Sequence, residues 1–235
     1  RDDTGQPLIC HTLDAALAAR RLAPDWICAV VVAVDHPDLL AAVERHIRDR
    51  GLDARAEMTR PDHVSGSDRI AEVATRLPPT IEAVLNLQGD EPEIDPAEVL
   101  GLARLLAGRT GGRATAEIAT LAFPIRDEAD FRNPNLVKVV TAADGTALYF
   151  SRSAIPHDRN AGPPATGIYG LGHVGIYAYR HPALMHFVSL PPGRLEQRER
   201  LEQLRALENG MHIAVKLLDR RPPKGIDTEE DYRAF

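Results

Sequence analysis

Hydrophobic positions along the first third of the chain follow two rhythms. Ile9, Leu13, Ala16 and Leu17 recur three and four apart, behind Gly5 and Pro7 and ahead of Arg20 and Arg21, basic residues that suit the negative pole of a helix end. This spacing predicts a first helix. WICAVVVAVD, 26–35, is instead a nearly unbroken β-branched run, which predicts a strand covered on both faces. Next come an amphipathic helix over 36–50 closed by Gly51, a short strand ARAEM at 54–58, a helix over 67–77 and a buried strand AVLNLQG at 83–89. Strand alternating with helix predicts a parallel sheet with right-handed crossovers.

The rhythm changes near residue 115. EIATLAFPI, 117–125, and the runs LVKVVTA and TALYFSR around Ala143, Asp144 and Gly145 predict antiparallel strands with a hairpin turn. HVGIYAYR, 173–180, predicts a further strand. Two helices, HPALMHFVSL and LEQRERLEQLRALENG, then a strand HIAVKLL and a last helix from Asp227 complete the pattern. NAGPPATGIYGLG, 160–172, has too many Gly and Pro to continue a strand and is expected to be a loop, mobile and beside the site. The expected architecture is α/β: residues 1–115 as a first part, 116–190 as an antiparallel appendage, and 191–235 returning to the main sheet.

Composition narrows the function. With 44% hydrophobic residues over 235 positions the chain has enough apolar surface for a sizeable core. Its net charge is −6 and neither sign runs in blocks, so nucleic acid is not an expected partner. Two cysteines, Cys10 and Cys28, and the lack of an apolar run of about 20 residues argue against a disulfide-built module and against membrane insertion. The sequence opens RDDTG, without Met or a signal-peptide pattern, and its natural start is expected to be missing or removed.

Four segments carry candidate chemistry. LNLQGDEPEI, 85–94, ends an apolar strand in Gln88, Gly89, Asp90 and Glu91, and open α/β sheets bind ligands beyond the carboxyl ends of their strands. Carboxylates there suit Mg²⁺ shared with substrate phosphates, or they solvate a turn stiffened by Pro92. Asp227, beside Thr228, is a second metal-ligand candidate or a helix N-cap. HVSGSDR, 63–69, offers Ser65, Gly66, Ser67 and Arg69 to a base or phosphate, or Ser67 simply caps a helix. FSRSAIPHDR, 150–159, holds Arg152 and Arg159 with His157, fit for bidentate grip of a carboxylate or for surface ion pairs. His173 and Tyr177 line a pocket or pack in a strand, and Glu202 and Gln203 are pocket groups or a solvated helix face. No HExxH, paired CxxC, GxSxG or Walker-type sequence occurs.

In order, TGQPLICH, VAVDHPDL, MTRPDHVSGSDRIAEV, LNLQGDEPEI, ALYFSRSAIPHDR, HVGIYAYR, LEQRERLEQLRALENG and GIDTEEDY resemble the 3-deoxy-manno-octulosonate (Kdo) cytidylyltransferases over nearly the whole chain. The resemblance implies a nucleotide-diphospho-sugar transferase fold, Rossmann-like with a mixed sheet, and a smaller antiparallel dimerisation portion. It implies transfer of CMP from CTP to the anomeric hydroxyl of Kdo, with Mg²⁺, in lipopolysaccharide biosynthesis by a cytoplasmic homodimer. It also implies roles. Asp90 and Asp227 match the magnesium ligands, and Ser65, Gly66, Ser67, Arg69 and Gln88 match CTP contacts. Arg152, His173, Tyr177, Glu202 and Gln203 match positions around the sugar acid, with Arg159 added, and Arg152 is expected to orient the substrate carboxylate. Members of the family begin with a strand and a basic phosphate loop, which this sequence is expected to lack. Two other readings remain: a cytidylyltransferase for an 8-amino sugar acid or a phosphonate, and a catalytically inactive nucleotide-binding regulator.

Overall fold

The computed structural model describes residues 6–108, 116–159, 164–223 and 225–226. The chain divides into two compact units, residues 1–103 with 222–235 and residues 104–221.

In the first unit, α1 (Leu8–Leu22) buries Cys10, Leu13 and Leu17, which share one apolar cluster with Val32, Val34 and Val43. β1 (Val31–Val34) and β2 (Arg55–Met58) pair in parallel through the crossover helix α2 (Pro37–Asp49). Gly51, just past α2, has φ +59°, a left-handed position that a Cβ would resist. β1 is shorter than the apolar run predicts. The amides of Trp26 and Ile27 bond back to the Ala23 carbonyl at 3.0 and 3.1 Å, so the chain turns there before it extends. Burial also alternates along β1 instead of covering both faces.

α3 (Gly66–Ala74) and β3 (Ala83–Asn86) follow. α3 is capped by Ser65, whose hydroxyl accepts from the Asp68 amide at 3.1 Å; Ser67, the expected cap, lies inside the helix and is buried. α4 (Pro96–Gly108) has no counterpart in the pattern reading. Its start was nonetheless written in the chain: Asp95 accepts from the Ala97 amide at 2.8 Å and Pro96 supplies a preset first turn.

The second unit contains β4 (Ile118–Ile125), α5 (Glu128–Arg132), β5 (Lys138–Thr141), β6 (Ala147–Ser151), β7 (Gly170–Arg180), α6 (His181–Ser189), α7 (Arg194–Glu199), α8 (Gln203–Glu208) and β8 (Ile213–Leu217). Its strands run in the order β6-β5-β7-β4-β8. Every pairing among β4, β5, β6 and β7 is antiparallel, as expected of residues 116–190, and β8, from the segment beyond them, pairs in parallel with β4. The β5–β6 hairpin turns at Gly145, φ +80°, whose carbonyl accepts from the Val215 amide of β8 at 2.9 Å. Leu121, Phe150, Ile176, Leu184, Leu204 and Ile213 are fully buried and form the core.

Two expectations change here. The glycine-rich stretch becomes strand from Gly170, because a Cβ at Gly172 would lie 2.5 Å from the Phe123 ring and one at Gly170 would lie 2.7 Å from Phe131. These glycines admit aromatic rings and do not loosen a loop; residues 160–163 lie outside the described residues. The predicted single helix over 195–210 is two helices, α7 and α8, broken at Arg200 with φ +53°. The predicted last helix from Asp227 lies outside the described residues.

Candidate active site

The first unit gathers the residues expected to meet a nucleotide. The carboxyl end of β3 and the start of α3 border a cavity of about 390 Å³. Its lining includes Gly66, Arg69, Asn86, Gln88 and Gly89, together with apolar groups of α1, β1 and α3. A Cβ on Gly66 would lie 3.4 Å from the Gln88 amide, so the SGS corner and the Gln88 side chain meet at close range. Asn86, missed in the sequence, is 4% exposed and its Nδ2 has no hydrogen-bond partner among the described residues. A buried donor left unpaired costs about 1–3 kcal/mol, so its presence marks this wall as polar by design. Nothing in the apolar pattern around residue 86 signals it.

Arg69 is held in place and does not swing freely. Its guanidinium donates to the Thr59 hydroxyl at 2.7 Å and to Asp35 at 2.8 Å, and Thr59 in turn donates to the Val34 carbonyl at 2.9 Å. The loop 59–66 is pinned from the other side by Glu72, which accepts from the His63 ring at 2.5 Å and from the Arg60 amide at 3.1 Å, and pairs with Arg76. The His63 bond, then the Arg60 amide, take the Glu72 carboxyl down to about 2.

Asp90 and Glu91 sit in the turn after β3. Thr12 of α1 donates to the Gly89 carbonyl at 2.9 Å. The returning chain lies directly on this turn: the Ile226 amide donates to the Asp90 carbonyl at 2.8 Å, and a Cβ on Gly225 would lie 3.2 Å from both the Asp90 carbonyl and a Glu91 carboxylate oxygen. Asp227 follows Ile226 in the sequence and lies outside the described residues. No group of three metal-ligating side chains occurs among the described residues.

The second unit gathers most of the residues expected around a sugar acid. β7 carries His173, opposite Ala122 of β4, and Tyr177, opposite Thr120, on either side of a bulge that falls between Thr120 and Leu121. Thr120 fills the bulge: its hydroxyl lies 3.1 and 2.9 Å from the carbonyls of Val174 and Ile176 and 3.0 Å from the His173 ring nitrogen Nε2. Burial pushes His173 down to about 3. Burial, with Tyr179 and Glu202 adding to it, holds the Tyr177 phenol well above its ordinary value. Both rings are therefore neutral at physiological pH. Phe150, His173, Tyr177, Tyr179 and Phe187 form a continuous row of rings with centroids 5.0 to 6.0 Å apart.

Arg205 stands over Phe187 and donates twice to Glu196, at 2.9 and 2.5 Å. It locks α8 to α7, and losing one partner of such a buried pair costs about 3–5 kcal/mol. Gln203 is buried at the start of α8 and Glu202 precedes it, 3.8 Å from Arg205. Arg159 is exposed.

Arg152 is held by the main chain. Its guanidinium does not present a free fork: Nε, Nη1 and Nη2 donate to the carbonyls of Glu199, Pro134 and Arg200 at 2.9, 3.2 and 3.4 Å. Three of its five N–H groups are thus spent on main chain. Two further residues of this region escaped the sequence reading. Glu199 accepts from the Ser151 hydroxyl at 2.7 Å and the Arg152 amide at 3.0 Å, and Lys138 is fully buried. A lysine inside the apolar run LVKVV was the available signal.

Comparisons with known proteins identify the family. A family profile described as Cytidylyltransferase matches residues 3–213. The 3-deoxy-manno-octulosonate cytidylyltransferase of Rhodopirellula baltica is 43% identical over 98% of this chain and 87% of its own length. That of Methylococcus capsulatus is 42% identical over 97% of this chain and 84% of its own. Among solved structures, a CMP:2-keto-3-deoxy-manno-octonic acid synthetase complexed with CTP superimposes with a TM-score of 0.83 at 36% identity, over 100% of this chain and 88% of that one. A 4-diphosphocytidyl-2C-methyl-D-erythritol synthase from Anaerococcus prevotii, 14% identical with a TM-score of 0.61, shares the fold. Similarity of this extent and consistency places the chain in the 3-deoxy-manno-octulosonate cytidylyltransferase family.

Proposed function

We propose that the protein transfers the CMP moiety of CTP to the anomeric hydroxyl of 3-deoxy-manno-octulosonate and releases pyrophosphate. The observation that carries the chemistry is the bond from the Ile226 amide to the Asp90 carbonyl, 2.8 Å, which brings the acidic turn after β3 beside the chain segment leading to Asp227. The relatives named for this reaction support the choice of both substrates.

The residues divide by substrate. Ser65, Gly66, Ser67, Arg69 and Gln88 of the first unit receive the cytidine nucleotide. Ser67 is the least accessible of them, at 3% exposed. Asp90 and Asp227 offer hard carboxylate oxygens, a donor type that fits Mg²⁺, which takes one or two carboxylates and completes its shell with phosphate and water. When bound, the ion neutralises charge on the triphosphate.

In the second unit, neutral His173 and Tyr177 supply hydrogen bonds without charge. Glu202 and Gln203 suit sugar hydroxyls, one as acceptor and the other as both donor and acceptor. Arg152, held in place by the three carbonyls it donates to, orients the substrate carboxylate with its remaining N–H groups, and the exposed Arg159 adds positive charge. The anomeric hydroxyl attacks the α-phosphorus in line and pyrophosphate departs, so positioning and electrostatics suffice and no covalent enzyme intermediate forms. The protein acts in the cytoplasm, where CTP is made, and as a homodimer, an assignment that rests on the family resemblance. No helix among the described residues is long and apolar enough to cross a membrane.

Pyrophosphate release from CTP with Kdo and Mg²⁺ tests the reading. Turnover that depends on both substrates is the expected result. Absence of turnover in the presence of both substrates and Mg²⁺ overturns it.

A further inference from the structure

The break at Arg200 separates two helices whose sequence would otherwise run as one. A non-glycine residue at φ +53° is strained, and the carbonyls that end α7 lose their intrahelical partners. Something outside the helix must hold the turn. Arg152 does so directly, accepting its cost in freedom: Nε donates to the Glu199 carbonyl and Nη2 to the Arg200 carbonyl. The Glu199 carboxylate closes the ring by accepting from the Arg152 amide and the Ser151 hydroxyl.

Arg152 is itself anchored by Lys138. The lysine is 0% exposed, and its ammonium donates to the carbonyls of Asn133, Leu136 and Arg152 at 2.9, 2.6 and 2.6 Å. All three of its donors are used. Strand pairing does not require a lysine here, and an apolar side chain would avoid the desolvation penalty that a buried ion carries. What the ammonium does is draw three carbonyls from two separate segments to one point. Burial, with Arg152 adding to it and Glu199 opposing, lowers the lysine below its ordinary value, as expected of a charge held inside the fold.

We propose that Lys138 is a positioning residue for the sugar acid: through Arg152 and Glu199 it fixes the left-handed turn at Arg200, and so the placement of Glu202 and Gln203 against the His173–Tyr177 wall. The inference rests on the function proposed above for its substrate. Glu202 and Gln203 follow the turn immediately, Gln203 is 8% exposed, and the helix they open, α8, is set against the same row of rings by Arg205, 5.0 Å over Phe187. Were α7 to continue as one helix, each residue would advance by about 100° in the usual way, and the pair would leave this wall.

Two variants test it, Lys138→Met, which keeps length and removes charge, and Glu199→Gln, which keeps shape. Steady-state pyrophosphate release is measured with each substrate varied at saturation of the other. Both variants are expected to raise the KM for Kdo at least tenfold with the KM for CTP unchanged. A merely structural role lowers the folded fraction, which reduces kcat and leaves both KM values alone; that result overturns the proposal. If Lys138→Met is insoluble, Glu199→Gln decides. Amide hydrogen exchange separates this inference from the reaction itself: Glu199→Gln is expected to speed exchange over residues 199–204 at least tenfold while α6 keeps its protection. Unchanged exchange there overturns the proposal even if wild-type protein fails to use Kdo, an outcome that would sink only the proposed reaction.

Discussion

The two units handle charge in opposite ways. In the first, ionic side chains such as Arg69, Asp35, Glu72 and Arg76 brace a loop at the surface, and the wall behind that loop contains a cavity lined by Asn86, whose amide nitrogen has no partner among the described residues. In the second, Lys138 and Arg205 are buried, and their donors are spent on main-chain carbonyls or on Glu196. One unit keeps hydrogen-bonding capacity in reserve near its cavity, whereas the other consumes it to hold a shape. That contrast suits a nucleotide recognised by many polar contacts and a sugar acid recognised by a preformed wall. Preformed walls place groups accurately because they pay for ordering during folding and not during binding.

The sharpest break in the comparison comes from Asp90→Asn. Turnover should fall by about 10²–10³-fold or more, the scale of losing one group that stabilises developing charge, while circular dichroism and the thermal midpoint stay near wild type. Near-normal pyrophosphate release would remove Asp90 from the chemistry. Phe150→Ala in the second unit should do the reverse. Phe150 is fully buried against His173, so its loss costs about 3–5 kcal/mol in a denaturant melt.

Acid should separate the units next. His173, held at about 3, favours the folded state most above its unfolded value near 6.5, and that contribution is lost as pH falls from 6.5 toward 3. Glu72, lowered from 4.5 to about 2, contributes fully above 4.5 and loses its effect as pH falls toward 2. The second unit is therefore expected to weaken first. Hydrogen exchange over β7 should report loss beginning below pH 6.5, and the fluorescence of Trp26, the one tryptophan of the chain and part of the first unit, should respond at lower pH. His173→Gln should erase the earlier phase, and Glu72→Gln should shrink the later one. The smallest effect is expected of Ser65→Ala, which removes the cap of α3 and costs about 1 kcal/mol in a urea melt without moving the acid response of the second unit.

Legibility followed the range of the interaction. α2 and the β5–β6 hairpin were readable because their causes are local: an apolar stripe closed by Gly51, and Asp144–Gly145 between two alternating runs. α4 had equally local signals in Asp95 and Pro96 and could have been found. Gly170 and Gly172 were misread because their partners, Phe131 and Phe123, are distant in sequence, so the same letters that mark a loop also mark a close approach. The main-chain hold on Arg152 was hidden for the same reason, since the carbonyls it donates to lie 18 to 48 residues away.

Composition and the ordered segments sufficed to name the family and the nucleotide chemistry, since residue type and spacing are properties of the chain itself. Three things were decided only in the folded molecule: the turn at Arg200, the burial of Lys138, and the meeting of Ile226 with Asp90. Each depends on groups brought together by folding, and such meetings obey packing and hydrogen-bond satisfaction over the whole structure, which no local periodicity records.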